Sequence, residues 1–389
     1  MPTRVWLSKC SCSECPREDE QETLNSKEGP DKLIRSHLIG VTPYAYVAPL
    51  EEATAESGLT VDRIIKLDGN ENPYGCSPKV KKALLEYPFY HIYPDSEQHQ
   101  LRKALQNYVG APFESVIAGS GSDELIEFVM RLFIDPGDRV INCVPTFGMY
   151  QFSTDAWGGK VTTVPRNANF GVDIAEVKKA AGKGTKVIFI ASPNNPSGNV
   201  TPREDILQLL DLPTVVVLDE AYYEFSQMTL VPLVRDHDNL IVLRTFSKWA
   251  GLAGLRVGYG VFPDKIARLL LRIKPPYNVS AAAQVAALES LKDLEYLQST
   301  VKAIVAERQR LFEKLAGFQK LRPWPSEANF ILCSVVNHDA RSIYQELKHR
   351  GILIRHFSAP LLKDYIRISV GKPDHTDALV AALSDILLK

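Results

Sequence analysis

At 389 residues the chain is too long for one ordinary hydrophobic core, so two domains are expected. Its 45% apolar and 23% charged residues suit a folded globular protein, and a net charge of -1 offers no basic surface for nucleic acid or an anionic membrane. No apolar run approaches the roughly 20 residues that span a bilayer.

Residues 1–33 are polar, with Arg17-Glu18-Asp19-Glu20 and Glu28-Gly29-Pro30, and read as a disordered tail. They lack an apolar signal core and hold more acids than a transit peptide carries, so cytoplasm is expected, with a plastid as the alternative. Cys10, Cys12 and Cys15 have a CxCxxC spacing but no fourth ligand near them, the first histidine being His37, so no metal site is expected. Cys76, Cys143 and Cys333 read as single buried thiols of a reducing compartment.

Residues 34–75 read as an irregular arm, with Pro43-Tyr44 and Asp68-Gly69-Asn70-Glu71-Asn72-Pro73-Tyr74. Ser77-Pro78 gives a cap and a first-turn proline ahead of a helix over 80–86. A second helix is expected from Ser96, as cap, to Val109, with Gly110 at its end. Strand-like and helix-like segments then alternate. Strands are expected at 116–118, 139–143, 160–164, 187–191, 214–218 and 240–243, with helices over 122–133 and 146–157 between them. Such a pattern implies a mostly parallel sheet covered by helices on both faces. The texture changes after Pro275-Pro276. A long helix over 296–315, strands at 328–333, 353–355 and 366–369, a helix over 340–350 and a final helix suggest a smaller α+β domain. The expected division is a large domain over 76–275 and a small one over 276–389, with a cleft between them for a small molecule.

Four segments fall at strand ends, where open α/β sheets bind ligands. In Ala118-Gly119-Ser120-Gly121-Ser122-Asp123-Glu124 a glycine turn opens a helix whose free N–H groups suit a phosphate; a capped helix with acids in its first turn reads equally well. Ser192-Pro193-Asn194-Asn195-Pro196-Ser197-Gly198 is either an ordinary turn or a rigid carrier for the Asn195 amide. Val215 to Tyr222 is an apolar strand ending in Asp219, an acid that needs a positive partner if desolvated. It could instead cap the next segment; a magnesium role finds no GxxxxGK[ST] to support it. Leu243 to Gly260 carries Ser247, Lys248 and Arg256 among glycines, which permit close backbone approach. A lysine in a confined apolar site becomes a nucleophile toward carbonyls. Together these supply an anion cradle, an amide donor, an acid for a ring nitrogen and an amine, the inventory that pyridoxal phosphate requires.

In these motifs, and in Leu67 to Tyr74, the sequence resembles the fold-type I pyridoxal-phosphate aminotransferases and, within them, the histidinol-phosphate aminotransferases, from about residue 34 onward. The resemblance implies that Lys248 bonds covalently to the cofactor and then carries the proton. It implies that Asp219 holds the pyridine nitrogen protonated and that Asn195 and Tyr222 bond the ring oxygen. Ser122, Asp123 and Glu124 at the helix start, with Ser247 and Arg256, belong by the same likeness to the cofactor shell around the phosphate. Phe147, in Pro145-Thr146-Phe147-Gly148, stacks on the ring where many relatives carry tyrosine. Tyr74 reaches the phosphate of the other subunit's cofactor, which implies a homodimer. Arg367 matches the arginine for an α-carboxylate, and Arg355 a second anion site, for a side-chain carboxylate or a substrate phosphate; without the likeness both read as surface ion pairs. Tyr44 and Asn329 are implied pocket walls. The implied substrates are histidinol phosphate with 2-oxoglutarate, or glutamate in reverse. An aromatic amino-acid aminotransferase and a phospho-amino-acid decarboxylase remain alternatives on the same cofactor.

Overall fold

The computed structural model describes residues 32–44 and 49–387. The tail expectations, including Cys10, Cys12 and Cys15, fall outside the described residues. Residues through Pro43 belong to a unit of their own, which contains the short 3-10 turn Ser36–Leu38. Everything below concerns the unit from Tyr44 onward.

That unit begins with helix Leu50–Ser57 and a short strand β1 (Ile65–Lys66), so the expected irregular arm contains regular structure. Helix Pro78–Glu86 starts as its sequence requires: the Ser77 hydroxyl accepts from Lys79 N at 3.1 Å, with proline in the first turn. The next helix, His99–Val109, starts two residues later than a Ser96 cap implies. Asp95, not Ser96, caps it, accepting from His99 N at 2.7 Å and Glu97 N at 3.0 Å; a carboxylate there also complements the helix dipole.

The body is a seven-stranded sheet formed by β2 (Val116–Gly119), β3 (Arg139–Val144), β4 (Lys160–Pro165), β5 (Thr185–Ala191), β6 (Val215–Asp219), β7 (Leu240–Thr245) and β8 (Gly258–Val261). Their spatial order is β2-β8-β7-β6-β5-β3-β4. All run parallel except β8, which pairs antiparallel with β2 and with β7. The sequence reading missed β8. The strand's Gly258 and Gly260 have little β preference, and they sit there because larger residues do not fit. A Cβ on Gly258 would stand 2.7 Å from Gly121 C and Ser122 N, and one on Gly260 2.5 Å from the Phe262 ring.

The central strands read as apolar runs because both faces are covered, and their alternation assigns the faces. Ile188, Ile190, Val216, Leu218 and Val242 pack into one core; Val187, Phe189, Val217, Ile241 and Leu243 pack into the other. Helix Gly121–Phe133 closes the second core with Leu125, Ile126, Val129 and Met130. Each such aliphatic side chain, fully buried, contributes roughly 1.5–3 kcal/mol against exposure. The first core runs on through the long helix Leu294–Ala316 into a four-stranded antiparallel sheet of β9 (Leu321–Pro323), β10 (Phe330–Val335), β12 (Arg355–His356) and β13 (Tyr365–Ser369), in the order β12-β13-β10-β9.

Two expectations at the ends of elements change, and one about a thiol. The strand expected at 353–355 is split: β11 (Ile352–Leu353) pairs with β1, while Arg355–His356 cross to pair with β13. Residues 146–148 stay out of the helix expected from 146, which runs Met149–Ala156, because Asn194 holds the Thr146 hydroxyl and the Pro145 carbonyl. Cys143 and Cys333 are buried free thiols, but Cys76 is only half-buried. Among the described residues, no helix is long and apolar enough to cross a membrane.

Candidate active site

A cavity of about 340 Å³ opens at the carboxyl ends of the parallel strands. It is lined by the loop after β3 (Phe147), the turn after β5 (Asn195), the end of β6 (Asp219, Tyr222), the loop after β7 (Ser247, Lys248, Arg256) and the start of helix Gly121–Phe133 (Ser122, Asp123). Tyr44 and Arg367 complete it from outside the large sheet. Residues from Ser122 to Arg256 therefore meet because five parallel strands end at one rim.

Lys248 donates from Nζ to the Gly69 carbonyl at 3.0 Å. Burial pushes its pKa down to about 8; the Glu71 charge works against that, while Arg367 adds to it. Part of the amine is thus neutral and nucleophilic near neutral pH. Asp219 is 4% exposed and pairs with no cation among the described residues. Tyr150 Oη donates to its Oδ2 at 2.6 Å, and Ala221 N to its Oδ1 at 3.0 Å. Burial pushes this acid up to about 6, and those two hydrogen bonds pull it back. A positive group in the cavity is what this carboxylate lacks.

At one end, helix Gly121–Phe133 points its first N–H groups into the cavity wall at Ser122 and Asp123. Gly121 has φ +80°, and a Cβ there would lie 2.5 Å from Arg256 Nη2. Arg256 pairs with Asp123 at 2.6 Å. The Thr245 hydroxyl donates to Ser247 Oγ at 3.0 Å. Helix start, guanidinium and two hydroxyls make an anion cradle.

Phe147 meets Tyr44 edge-on at 6.1 Å and Tyr150 at 5.6 Å, and Tyr150 stacks on Phe189 at 4.6 Å. Asn70 Nδ2 donates to Tyr222 Oη at 2.9 Å. Burial pushes the Tyr222 phenol up to about 12, against the pull of Arg367. Arg367 donates from Nη1 to Asn195 Oδ1 at 2.6 Å and from Nη2 to the Asp68 carbonyl at 2.5 Å. Asn195 therefore turns its carbonyl to the arginine and keeps its amide nitrogen for the cavity. Asn194, beside it, is fully buried and fastens two walls. Its Oδ1 accepts from Thr146 Oγ1 at 2.7 Å and Arg166 Nη2 at 3.1 Å; its Nδ2 donates to the Pro145 carbonyl at 3.1 Å and Ser197 Oγ at 2.7 Å.

Four expected site residues do not line this cavity. Glu124 turns back to accept from Ser120 N at 2.6 Å and Asn278 Nδ2 at 2.7 Å, so it caps its own helix start. Asn329 is buried and holds the cavity loop from behind, donating to the Asn70 carbonyl at 2.9 Å. Arg355 is the cross-strand partner of Arg367, and with it counters the effect of burial on the Tyr44 hydroxyl. Tyr74 lies under Lys372, whose Nζ is 5.7 Å from its ring centroid. Sequence reasoning missed Glu71, Tyr150, Asn194 and Thr245. For Thr245 a signal existed, two residues before Ser247 at a strand end; for Tyr150 there was none, since a tyrosine inside an amphipathic helix reads as core.

The chain matches the family model described as aminotransferase class I and II over residues 62–383. This chain belongs to the class I and II aminotransferases. Among relatives of this aminotransferase, a histidinol-phosphate aminotransferase of Dehalococcoides mccartyi is 51% identical over 91% of this chain and 98% of its own. A chloroplastic histidinol-phosphate aminotransferase of Nicotiana tabacum is 47% identical over 96% of this chain and 91% of its own. The solved histidinol-phosphate aminotransferase of Sinorhizobium meliloti, in complex with pyridoxal-5'-phosphate, superposes with a TM-score of 0.84 at 29% identity, covering 91% of this chain and 97% of that one. The α/β architecture expected from the sequence is that of this aminotransferase fold.

Proposed function

We propose that this aminotransferase exchanges the amino group of L-histidinol phosphate with 2-oxoglutarate, giving imidazole-acetol phosphate and L-glutamate for histidine biosynthesis, with pyridoxal phosphate as cofactor. The observation that carries the chemistry is an amine of lowered pKa, Lys248, sharing one cavity with a buried carboxylate, Asp219, that has no cationic partner among the described residues. The 51% likeness to the Dehalococcoides mccartyi protein supports the choice of substrate.

The donor set fits the cofactor. Asp219 would hold a protonated pyridine nitrogen, which supplies the missing charge through a charge-assisted bond. The helix start at Ser122 and Asp123, with Ser247, Thr245 and Arg256, would hold the phosphate, and the close approach of Gly121 and Gly258 shapes that cradle. Phe147 would cover one ring face. The Asn195 amide nitrogen and Tyr222 hydroxyl would bond the ring oxygen. When bound, pyridoxal phosphate supplies an electrophilic aldehyde and a ring that takes up an electron pair during proton transfer. This chain's own residues do the rest. Lys248 Nζ, as the free amine, would hold the cofactor, and once the substrate's amine had released it would take and return the substrate proton, a role suited to a base whose pKa lies near 8. Tyr150 and Ala221 N fix the direction of the Asp219 carboxylate. Arg367, nearly buried, binds the substrate's anionic end, with Arg355 across the strand ladder adding positive charge.

The same reading makes the working unit a cytoplasmic homodimer. Tyr74, which lies outside its own chain's cavity, would reach the partner's cofactor phosphate. It divides the chain into an arm (34–75), a cofactor-binding domain (76–275) and a smaller domain (276–389). The test mixes cofactor-loaded protein, histidinol phosphate and 2-oxoglutarate. Glutamate is the expected product; carbon dioxide release or no glutamate would overturn the substrate assignment.

A further inference from the structure

Three carboxylates face the cavity, and two are already engaged. Asp219 is held by Tyr150 and Ala221 N, and Asp123 by Arg256 at 2.6 Å. Asp123 keeps one oxygen without a donor but sits at the helix start beside Arg256, in the anion cradle; the third acid, Glu71, stands apart from that cradle, beside the Lys248 amine's acceptor. Its Oε1 accepts from Lys66 Nζ at 2.8 Å, and that one ammonium also serves Asp68 at 2.8 Å. Among the described residues no group donates to Glu71 Oε2.

The backbone makes room for this carboxylate. A Cβ on Gly69 would stand 2.4 Å from Glu71 Oε2 and 2.6 Å from Oε1, so no larger residue leaves the acid where it is. The Gly69 carbonyl accepts from the Lys248 amine at 3.0 Å. The acid and the reactive nitrogen therefore flank one glycine, and the Glu71 charge raises the amine's pKa against burial. The anion-binding Arg367 lines the same cavity. Such a cavity suits a substrate with an anion at one end and an N–H donor ring at the other, and it repels a second anion placed at Glu71.

We propose that Glu71 Oε2 accepts a hydrogen bond from the ring N–H of an aromatic nitrogen heterocycle on the substrate, and so selects an imidazole over a hydrocarbon ring. This rests on the function proposed above and adds the residue that recognises the ring. An acceptor built for an N–H discriminates strongly against an analogue lacking it, because the carboxylate then loses water without gaining a partner.

The experiment compares histidinol phosphate with phenylalaninol phosphate, in which a phenyl ring replaces imidazole, on the cofactor-loaded enzyme. Dissociation constants come from calorimetry and amino-transfer rates from the cofactor's spectral change. In Glu71→Leu the preference for imidazole over phenyl should fall roughly tenfold or more, the loss of one hydrogen bond to a charged group. Glu71→Gln, which keeps the shape, should lower it less, and it is the variant to read if the leucine variant does not fold. Lys66→Met, which retains Glu71, should preserve the preference. Effects passing through the Lys248 amine or the fold touch both ligands and cancel in the ratio. A ratio within twofold of wild type in both Glu71 variants overturns the proposal while leaving the aminotransferase reading intact. Wild-type protein that neither binds nor transaminates histidinol phosphate overturns both.

Discussion

Replacing Tyr150 by phenylalanine isolates what holds Asp219 in its working state. Tyr150 is fully buried and stacked on Phe189 at 4.6 Å, so the phenylalanine ring keeps the packing and only the hydroxyl leaves. The gap between the ordinary 3.8 of an aspartate and the value of about 6 for Asp219 is worth about 3 kcal/mol against the ionised form. The lost bond, 2.6 Å long and to a charged acceptor, is worth roughly 1.5–3 kcal/mol, so the variant's Asp219 should rise by roughly one to two further pKa units. The sign follows from proton binding. The folded protein without cofactor holds a proton on Asp219 that the unfolded chain releases near 3.8, so Asp219's contribution to stability falls as pH rises from about 4 to about 6. In Tyr150→Phe that fall should continue past neutrality. Thermal unfolding of cofactor-free protein between pH 4 and 8 reads this directly. The variant should also hold cofactor about tenfold or more weakly at pH 7.5, since a protonated Asp219 cannot neutralise a pyridinium. An unchanged pH slope together with unchanged cofactor affinity would refute the argument that the hydroxyl sets the charge of Asp219.

Lys248→Ala should abolish amino transfer and remove the near-visible absorbance that reports a covalent bond between lysine and cofactor; a retained band would refute the assignment of Lys248. Asn194→Ala strips the partners from Thr146, Arg166 and the Pro145 carbonyl in a fully buried place, and each orphaned group costs roughly 1–3 kcal/mol, so a lower urea midpoint and faster cofactor loss are expected. Asn194→Asp keeps the acceptor and places a carboxylate beside Arg166, whose partners among the described residues are all uncharged oxygens, so it should be the more stable of the two; the reverse ranking would show that Asn194 does not clamp the two walls.

What the sequence made legible was the part of the site carried by parallel strands. A strand buried on both faces must be an apolar run, so the polar residues that follow it stand out: Asp219 after Val215–Leu218, and Ser247 and Lys248 shortly after the apolar Leu240 to Leu243. What stayed hidden depends on distance in three dimensions. Tyr150 meets Asp219 across 69 positions, and nothing in an eight-residue helix marks one aromatic as facing a carboxylate instead of the core. Glu124 misled because acids in a first helical turn look alike whether they face a ligand or close their own cap; the bond to Ser120 N decides it. Strand β8 misled because close packing onto Ser122 N demands glycine, and glycine erases the alternation by which strands are read.

The arginine proposed to bind substrate is where buried charge has consequences for specificity. Arg367 is 6% exposed, its Nε finds no partner among the described residues, and the oxygens it does bond belong to an amide and a backbone carbonyl. Directly across the strand pair stands Arg355, and like charges so placed cost roughly 0.2–1 kcal/mol. Burial lowers the pKa of Arg367, with Arg355 acting in the same direction. No carboxylate pairs with Arg367 among the described residues, so on the proposed function an incoming anion would supply the compensation, and either a carboxylate or a phosphate would serve. On the proposed function, one arginine would receive glutamate and histidinol phosphate in turn. Arg367→Lys keeps the charge but cannot bond Asn195, the Asp68 carbonyl and an anion with one nitrogen in fork geometry. It should weaken both substrates together, by roughly tenfold or more in each half-reaction, and salt should restore little because a buried charge is poorly screened. If the variant weakens only one substrate, or neither, the two anions do not share this arginine.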